Sequence, residues 1–338
     1  MDLVKVFFNR GLSNTYDALQ AIRTADRSGH FVLRATHVNP HSPVSRAADE
    51  FAIEQQGGSD VAYIDWCLTQ CRDHGVGIFV PQRRREAIAA RRDAFEAIGV
   101  AVSVMGPPDV MAMVDRKQAL YDDLEGTEVP LPPYRTFRTL DELDEAIIAL
   151  GGLDEGLCVK PCVGVYGSGF RILEREQSDF KWMLAGDSIR ISIDAFRAAL
   201  AASPQDRDMM LLSYLPGIER SVDVLAHKGQ LVRAVSRIKF SDHQLLEVDG
   251  PSIDLAAFLT ERYQLDGIFN LQTKERDGVQ YFLEVNSRMS GGLLYTCLSG
   301  VAFPYWNLML TAGLATPGDV PLPVQGMKVA PVQGCIEV

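Results

Sequence analysis

The first 105 residues alternate between short apolar runs and longer amphipathic stretches. The apolar runs have the length of strands and lie at 4–10, 31–38, 76–81 and 100–105. The amphipathic stretches carry apolar residues at helical spacing and lie at 15–24, 61–73 and 84–98. Strands that alternate with helices through short connections pair in parallel, because each helix returns the chain to the beginning of the next strand. We therefore expect a doubly wound parallel sheet with helices on both faces.

A different pattern begins after the Gly-Pro-Pro sequence at 106–108. Thr139 and Glu142 predict a capping box at the beginning of a helix that ends at Gly151. From residue 157 onward strand-like runs dominate, and Asp277-Gly278 predicts a hairpin turn between two of them. Since 338 residues exceed what one hydrophobic core usually serves, we expect two or three compact units, and the patterns along the chain divide it into three regions. Their bounds are 1–107, 108–208 and 209–338.

Composition argues against several classes of protein. The net charge is −11, whereas binding a nucleic acid depends on Lys and Arg that neutralise phosphates. The N-terminal sequence has no long apolar run behind a basic start, and no apolar run reaches the length of a membrane span. The six cysteines without an export signal indicate a reducing compartment. We expect a cytoplasmic protein with neither a nucleic acid nor a membrane as partner.

Lys160 lies in a strand-like apolar run, and a glycine-rich turn follows it. A lysine inside such a run is costly to bury unless it faces an anion. Gly164, Gly167, Ser168 and Gly169 can turn backbone N–H groups toward that anion, in the geometry used for phosphates. The glycine spacing fits neither a Rossmann fingerprint nor a P-loop, and the flanking strands predict a flap in a hairpin. A glycine hairpin beside an ordinary surface lysine would give the same pattern.

Glu284, Asn286 and Arg288 alternate along and just beyond a predicted strand, which places them on one side of it. Mg²⁺ accepts carboxylate and amide oxygens as ligands, and an arginine can pair with phosphate. Gln272 lies on the preceding strand, and the hairpin at 277–278 is expected to bring it near Glu284. The alternative is a polar hairpin face exposed to solvent. The Ser-Gly-Gly sequence at 290–292 favours a site, because such a turn lets the backbone approach whatever Arg288 binds.

A third apolar run ends in Tyr214-Leu215-Pro216-Gly217, and Glu219 follows. A bend of this kind leaves backbone groups unpaired at its edge. One C=O and one N–H there could read an adenine ring, while Glu219 accepts the ribose hydroxyls. The same residues also fit a plain strand, turn and strand.

Taken in chain order, Lys160 with its glycine loop, the Pro-Gly hinge and Glu284-Val-Asn286 resemble the ATP-grasp superfamily. The nearest members are carbamoyl-phosphate synthetase large subunits, biotin carboxylase and the carboxylate–amine ligases, and the resemblance covers nearly the whole chain. It implies an α/β protein with an N-terminal doubly wound parallel-sheet domain, followed by an ATP-grasp fold. That fold consists of a small β-rich lid and an α+β C-terminal domain.

The resemblance assigns roles to the matching residues of the lid and hinge. Lys160 is similar to the lid lysine that contacts the ATP phosphates, and residues 164–169 to the flexible loop that covers them. Tyr214 and Leu215 match the hinge whose backbone reads adenine, and Glu219 matches the ribose-binding acid.

The resemblance also implies a metal site and a second phosphate contact. Glu284 and Asn286 match the magnesium ligands, and Arg288 matches the arginine beside the transferred phosphate. In the family's Asp-Lys pair the basic residue touches phosphate. The motif register favours Arg116 for that role and the residue type favours Lys117, so both remain candidates.

Two departures from the family pattern bear on these assignments. Gln272 occupies a position where many members have Asp or Glu, although the carbamoyl-phosphate synthetase type also has Gln. A neutral ligand lowers the charge of the site and leaves open whether one or two metal ions bind. Ser213 occupies a position where an acid often precedes the hinge, so the adenine contact would depend more on backbone groups.

The function implied by the resemblance is that of an ATP-dependent ligase, with ATP and Mg²⁺, or Mn²⁺ in its place, as cofactors. It activates a small carboxylate as an acyl phosphate and couples it to a nucleophile, with Lys160 and Arg288 as catalytic cations. The alternatives are a kinase that releases the acyl phosphate and a regulatory protein that binds a nucleotide without turnover. The sequence identifies neither the carboxylate nor the nucleophile, and a homodimer is compatible with it.

Overall fold

The computed structural model describes residues 3–11, 14–54, 57–164, 167–202, 207–332 and 334–338. The chain forms two compact units. The first unit comprises Met1–Ala112, Glu219–Gln272 and Val285–Val338, and the second comprises Met113–Ile218 and Thr273–Glu284. The division into 1–107, 108–208 and 209–338 stays a prediction. None of the described helices is long and apolar enough to cross a membrane.

The N-terminal part of the first unit is built from alternating strands and helices. In chain order they are β1 Val4–Phe8, α1 Asn14–Ala25, β2 Phe31–His37, α2 Val44–Ala47, β3 Glu50–Ile53, α3 Asp60–Asp73, β4 Ile78–Phe79, α4 Arg85–Ala89, α5 Arg92–Glu96, β5 Ala101–Val102 and α6 Pro108–Val114. The strands form one parallel sheet in the order β3-β2-β1-β4-β5. The predicted doubly wound parallel sheet is thereby confirmed.

Side chains that alternate along β1 cover both faces of this sheet. Phe8 packs in a cluster with Leu19 and Ile22 of α1. Phe7 points to the other face, where its ring centroid lies 6.3 Å from that of Trp66 on α3. With both faces covered by helices, the carboxyl ends of the strands are left as the edge at which α/β sheets bind ligands.

One predicted helix of this region is interrupted. The apolar period indicated a single helix over 84–98, whereas the structure has α4 and α5. The prediction was wrong because Arg91 leaves the helical conformation, with φ −118° and ψ 19°. Each half then buries its own apolar residue, Ile88 in α4 and Phe95 in α5. No Gly or Pro marks this break in the sequence, and β3 was also not predicted.

The second unit carries an antiparallel-rich sheet. Its elements are α7 Lys117–Leu124, β6 Tyr134–Phe137, α8 Leu140–Ala149, a 3₁₀ turn at Leu153–Glu155, β7 Leu157–Pro161, β8 Arg171–Glu174, α9 Asp179–Leu184, β9 Arg190–Ser192, α10 Ile193–Ala202 and β10 Met209–Ser213. The strand order is β6-β10-β7-β8-β9. The capping box of Thr139 and Glu142 is confirmed. On β7, Leu157 and Val159 enter the core, so Lys160 belongs to the other side of the strand.

The rest of the chain contributes a third sheet. Its elements are β11 Glu219–His227, β12 Gln230–Lys239, β13 Gln244–Glu247, α11 Pro251–Arg262, β14 Gly267–Arg276, β15 Val279–Asn286, α12 Leu293–Cys297, α13 Phe303–Thr311, a 3₁₀ turn at Pro317–Asp319 and β16 Lys328–Val329. The strand order is β15-β14-β11-β12-β13-β16. Asp277 and Gly278 both have positive φ, 54° and 78°, which confirms the predicted hairpin turn.

Candidate active site

Two lysines and one glutamate come together in the second unit. Lys117 Nζ lies 3.5 Å from Glu284 Oε2 and donates a 2.8 Å hydrogen bond to the Gly164 carbonyl. Lys160 Nζ donates to the Leu283 carbonyl at 3.1 Å, one residue before Glu284. The structure therefore brings Lys117, Lys160 and Glu284 together around the end of β15. Arg116, the alternative to Lys117, has an exposed side chain.

The environment of Lys160 disfavours its charge when no anion is bound. Burial lowers the pKa of its ammonium group from 10.5 to about 8. The Glu284 carboxylate partly opposes this shift of the pKa, and the Lys117 ammonium adds to it. Lys117 and Lys160 are two cations near one carboxylate in a partly desolvated environment. An additional anion would stabilise the charged form of both ammonium groups.

Tyr121 holds this arrangement in place, and sequence reasoning missed it. Its ring lies 5.1 Å from Lys160 Nζ, within the range of a cation–π interaction. Its hydroxyl donates to the carbonyls of Phe282 and Leu283 at 3.0 and 3.1 Å. The tyrosine thus fixes the backbone that leads into Glu284. In the sequence it is simply one apolar position of a helix, so no pattern distinguished it.

The predicted phosphate-covering loop is described only in part, since residues 165 and 166 lie outside the described residues. The Gly164 carbonyl is held by Lys117, and Ser168 is exposed. Gly167 and Gly169 have positive φ, 65° and 80°. A Cβ on Gly169 would lie 2.7 Å from the Pro161 side chain, so the turn requires glycine there.

The hinge residues lie directly after β10. The Tyr214 N–H donates to the Gly156 carbonyl at 2.9 Å, and the Leu215 side chain is buried. Within the described residues, the Tyr214 C=O and the Leu215 N–H take no hydrogen-bond partner. These two groups belong to one trans peptide and point in opposite directions, so one adenine edge can meet only one of them.

Lys274 is a second residue that sequence reasoning missed. Its Nζ lies 5.1 Å from the centre of the Tyr214 ring, beside the hinge. It follows Gln272 by two residues in β14, and both are partly exposed while Leu271 and Thr273 are buried. This alternation could have identified Lys274 from the sequence.

Asn286 and Arg288 belong to the first unit and lie close to each other. Arg288 Nη2 donates to Asn286 Oδ1 at 3.4 Å, and Nη1 donates to the Met289 carbonyl at 3.1 Å. Both side chains are partly exposed, whereas Ser287 and Met289 are buried, as the predicted alternation requires. Asn286 and Arg288 therefore share one side of the chain.

A buried charge network anchors the turn after Arg288. Arg237 pairs with Asp223 at 3.0 Å and also donates to Ser290 Oγ at 2.9 Å, and both charged side chains are almost fully buried. A Cβ on Gly292 would collide with the Arg237 guanidinium, which explains the glycine at this position. The Ser-Gly-Gly turn is thus fixed against a rigid cation, and sequence reasoning did not predict this contact.

Glu219, the predicted ribose acid, is the first residue of β11. Its carboxylate accepts a hydrogen bond from Lys239 of β12, and both side chains stay about one third exposed. The ion pair orients the carboxylate without covering it. Its ribose role stays a prediction.

The three proposed metal ligands share one donor chemistry. Gln272, Glu284 and Asn286 offer only oxygen donors, which suit Mg²⁺. Glu284 lies beside an ammonium and Asn286 Oδ1 accepts from a guanidinium, so both oxygens already face positive charge. Among the described residues no three His, Cys, Asp or Glu side chains cluster into a metal site. Each of the three side chains therefore has the donor type that Mg²⁺ prefers, and their role as ligands of one metal ion stays a prediction.

Comparisons with known proteins identify the fold. Residues 205–335 match a family model described as ATP-grasp in the biosynthetic pathway with Ter operon. A search of curated proteins finds no match.

Three solved structures illustrate the similarity along the chain. The chain resembles N5-carboxyaminoimidazole synthetase from Staphylococcus aureus complexed with ADP, with a TM-score of 0.65, 11% identity and 94% of this chain and 79% of that chain covered. It resembles L-amino acid ligase from Bacillus licheniformis with a TM-score of 0.64 and 14% identity, and the match covers 99% of this chain and 82% of that chain. It also resembles the biotin carboxylase domain of 2-oxoglutarate carboxylase from Hydrogenobacter thermophilus, which was solved with MgADP and bicarbonate. Here the TM-score is 0.64 and the identity is 16%, and the match covers 93% of this chain and 70% of that chain.

Because the identities are low, the solved structures establish the fold alone. The family model matches the C-terminal part of the chain, residues 205–335. The chain therefore has the fold of the ATP-grasp structures that it resembles, and its residues 205–335 match an ATP-grasp family model.

Proposed function

We propose that this protein is an ATP-dependent ligase that activates a carboxylate as an acyl phosphate and couples it to an amine. The observation that carries the proposal is the convergence of Lys117 and Lys160 on Glu284. Two ammonium groups with a single carboxylate leave an excess positive charge. A polyphosphate supplies the missing negative charge, and hard oxygens nearby supply ligands for the cation that accompanies it.

Nucleotide binding is divided among residues of different chemistry. Backbone groups of the hinge residues Tyr214 and Leu215 would contact the adenine edge, and the Glu219 carboxylate would accept hydrogen bonds from ribose hydroxyls. Lys117 and Lys160 would hold phosphate oxygens, with backbone N–H groups of Gly167, Ser168 and Gly169 above them.

In the first step, an oxygen of the substrate carboxylate attacks the γ-phosphorus of ATP. The bond from the γ-phosphorus to the bridging oxygen breaks, and ADP leaves. In the transition state, negative charge is distributed over the oxygens of the transferred phosphoryl group. Catalysis therefore depends on cations that are held in position to stabilise this charge. Lys160 and Arg288 are proposed to serve as those cations.

In the second step, the amine nitrogen attacks the acyl carbon, the bond from that carbon to the phosphate oxygen breaks, and the amine loses a proton. The products are an amide and inorganic phosphate. Gln272, Glu284 and Asn286 would hold Mg²⁺, which when bound neutralises part of the phosphate charge.

Two structures that this chain resembles support the proposal by analogy. One is an L-amino acid ligase, and another is a synthetase complexed with ADP. Since identity to both is at most 14%, the analogy concerns the class of reaction and leaves the substrates open.

The proposal is tested by supplying ATP and Mg²⁺ with a panel of acids crossed with a panel of amines. ADP release is measured together with mass spectrometry of the products. Hydroxylamine is added in a parallel reaction, because it traps an acyl phosphate as a hydroxamate.

A ligase gives ADP and an amide in equal amounts, and it gives a hydroxamate when hydroxylamine is present. An acyl phosphate that accumulates in the presence of every amine would instead identify a kinase. Nucleotide binding without ADP release under any combination would identify a regulatory protein. Either of these last two outcomes overturns the proposal.

A further inference from the structure

A pocket in the first unit lies where three strands of the parallel sheet end. It is a shallow pocket, and the space within and above it, open solvent included, amounts to about 460 Å³. Phe8 ends β1, Val80 directly follows β4, and Ser103 directly follows β5, and all three line the pocket. Ligands of open α/β sheets bind outside the carboxyl ends of the strands, so this is the edge where a substrate is expected.

The charged side chains among the described residues of the pocket lining are both arginines. Arg85 and Arg288 line it, and no Asp or Glu is among the described residues of the lining. Arg85 is held in position, because its Nε donates to Ser287 Oγ at 3.2 Å and its Nη1 donates to the Gln82 carbonyl at 2.9 Å. The arginine is thus tied to the residue that precedes Arg288.

The remaining wall is mainly apolar. Val80, Met105, Ile268 and Leu308 are among its members. Asn307 donates to Ser103 Oγ at 2.9 Å, so these two polar groups satisfy each other in part. A second charged group on a ligand would face this wall without a partner of opposite charge, at a considerable cost in free energy.

We infer that this pocket binds the acid that the enzyme activates, and that this acid is a monocarboxylate with a compact apolar body and no ammonium group. Arg85 is the residue that selects it, by pairing with its carboxylate beside Arg288. Its apolar body contacts the side chains that follow β4 and β5. The inference rests on the proposed function, and Arg288 connects the two, because it is also the proposed partner of the transferred phosphoryl.

The test is calorimetry on the full chain with Mg²⁺ and a non-hydrolysable ATP analogue. Isovalerate and phenylacetate are the probes, and leucine, glutarate and isopentylamine are the matched comparisons. We expect the two monocarboxylates to bind at least about tenfold more tightly than the comparison compounds. Leucine adds an ammonium group, glutarate adds a second carboxylate, and isopentylamine lacks the carboxylate.

Arg85→Met retains the length of the side chain and removes its charge. It should weaken isovalerate binding by about tenfold to a hundredfold, the usual effect of losing a charge-assisted pair. Arg83→Met is the control, because Arg83 is exposed and is not part of the lining. Ile268→Trp is a second variant that enlarges an apolar residue of the lining, and it should weaken binding of phenylacetate more than binding of acetate.

The outcomes separate this inference from the proposed function. If the wild type does not bind the ATP analogue, the proposed function fails. If it binds the analogue but prefers leucine or glutarate, or binds none of the acids, only the inference fails. Unchanged acid affinity in folded Arg85→Met and Ile268→Trp proteins would likewise overturn the inference alone.

Discussion

Lys117 Nζ contacts both the Glu284 carboxylate, at 3.5 Å, and the Gly164 carbonyl, at 2.8 Å. A single ammonium group therefore joins the first residue of α7 to the end of β15 and to the loop that follows β7. Arg116, one residue earlier, points into solvent instead. This geometry favours Lys117 as the basic residue that touches phosphate.

The choice between the two residues is tested with Lys117→Met and Arg116→Met. Removing the Lys117 charge should weaken binding of an ATP analogue by about tenfold or more, because a charge-assisted contact to phosphate is lost. Arg116→Met should change the affinity less than twofold. Calorimetry with the analogue and Mg²⁺ measures both variants. The opposite ranking would restore Arg116 to the role that the motif register gave it.

Lys160 is expected to be required for turnover. Lys160→Ala removes the cation that we propose to bind phosphate oxygens, so ATP-dependent turnover should fall by about a hundredfold or more. Lys181→Ala, an exposed lysine of the same unit, is the matched control and should keep full activity. Circular dichroism establishes that both variants are folded. Activity near the wild-type level in folded Lys160→Ala protein would exclude Lys160 as a phosphate ligand.

The pH dependence of nucleotide binding follows from the same lysine. The pKa of Lys160 is lowered to about 8, so its charged fraction in the free protein falls as the pH rises above 8. A polyphosphate favours the charged form, so binding above this pH takes up a proton and weakens as the pH rises. Calorimetry at pH 8.5 in buffers of different ionisation enthalpy should detect this proton. Lys160→Met should abolish the uptake, and uptake that persists in the variant would assign the proton to another group.

Glu284 is expected to be needed for the metal. Glu284→Gln preserves the shape of the side chain and removes the charge that would hold Mg²⁺, so turnover should collapse while the fold survives. The Mg²⁺ concentration for half-maximal activity of any residual turnover should rise by about tenfold or more. Glu145→Gln, on an exposed face of α8, serves as the control. Normal turnover of the Glu284→Gln protein at low magnesium would mean that this hairpin face is only a polar surface.

The fold was predictable from periodicity because its patterns are local. The alternation of strands and helices indicated the parallel sheet, and Asp277-Gly278 indicated the hairpin, since both signals are complete within a few residues. The break at Arg91 was not predictable, because neither Gly nor Pro accompanies it. It is set by packing on each half, which the sequence does not display.

The site was predictable only where residue type and alternation coincided. Lys160 and Glu284 are charged residues in apolar strands, and this pattern identified both as candidates from the sequence. The structure places both side chains at the end of β15. Tyr121 and Arg237 act through contacts with residues more than 50 positions away. Such partners depend on the tertiary fold, so no spacing in the sequence indicated them.

Arg288 is the residue that we expect to separate binding of ATP from activation of the acid. It lies two residues beyond Asn286 on the same side of the chain, lines the pocket proposed for the acid, and precedes the turn anchored by Arg237. A guanidinium there can pair with the moving phosphoryl and with the carboxylate that receives it. Because that pairing is strongest in the transition state, losing it should depress kcat more than nucleotide affinity.

Arg288→Met should therefore bind the ATP analogue within about threefold of the wild type and turn over at least about a hundredfold more slowly. Arg72→Met, an exposed arginine on α3, controls for the loss of one positive charge. Calorimetry with the analogue and steady-state kinetics measure the two halves separately. A variant that no longer binds nucleotide would make Arg288 a ground-state ligand of ATP. A variant that turns over freely would remove it from the reaction, because a cation that pairs with the transferred group cannot be dispensable to the transfer.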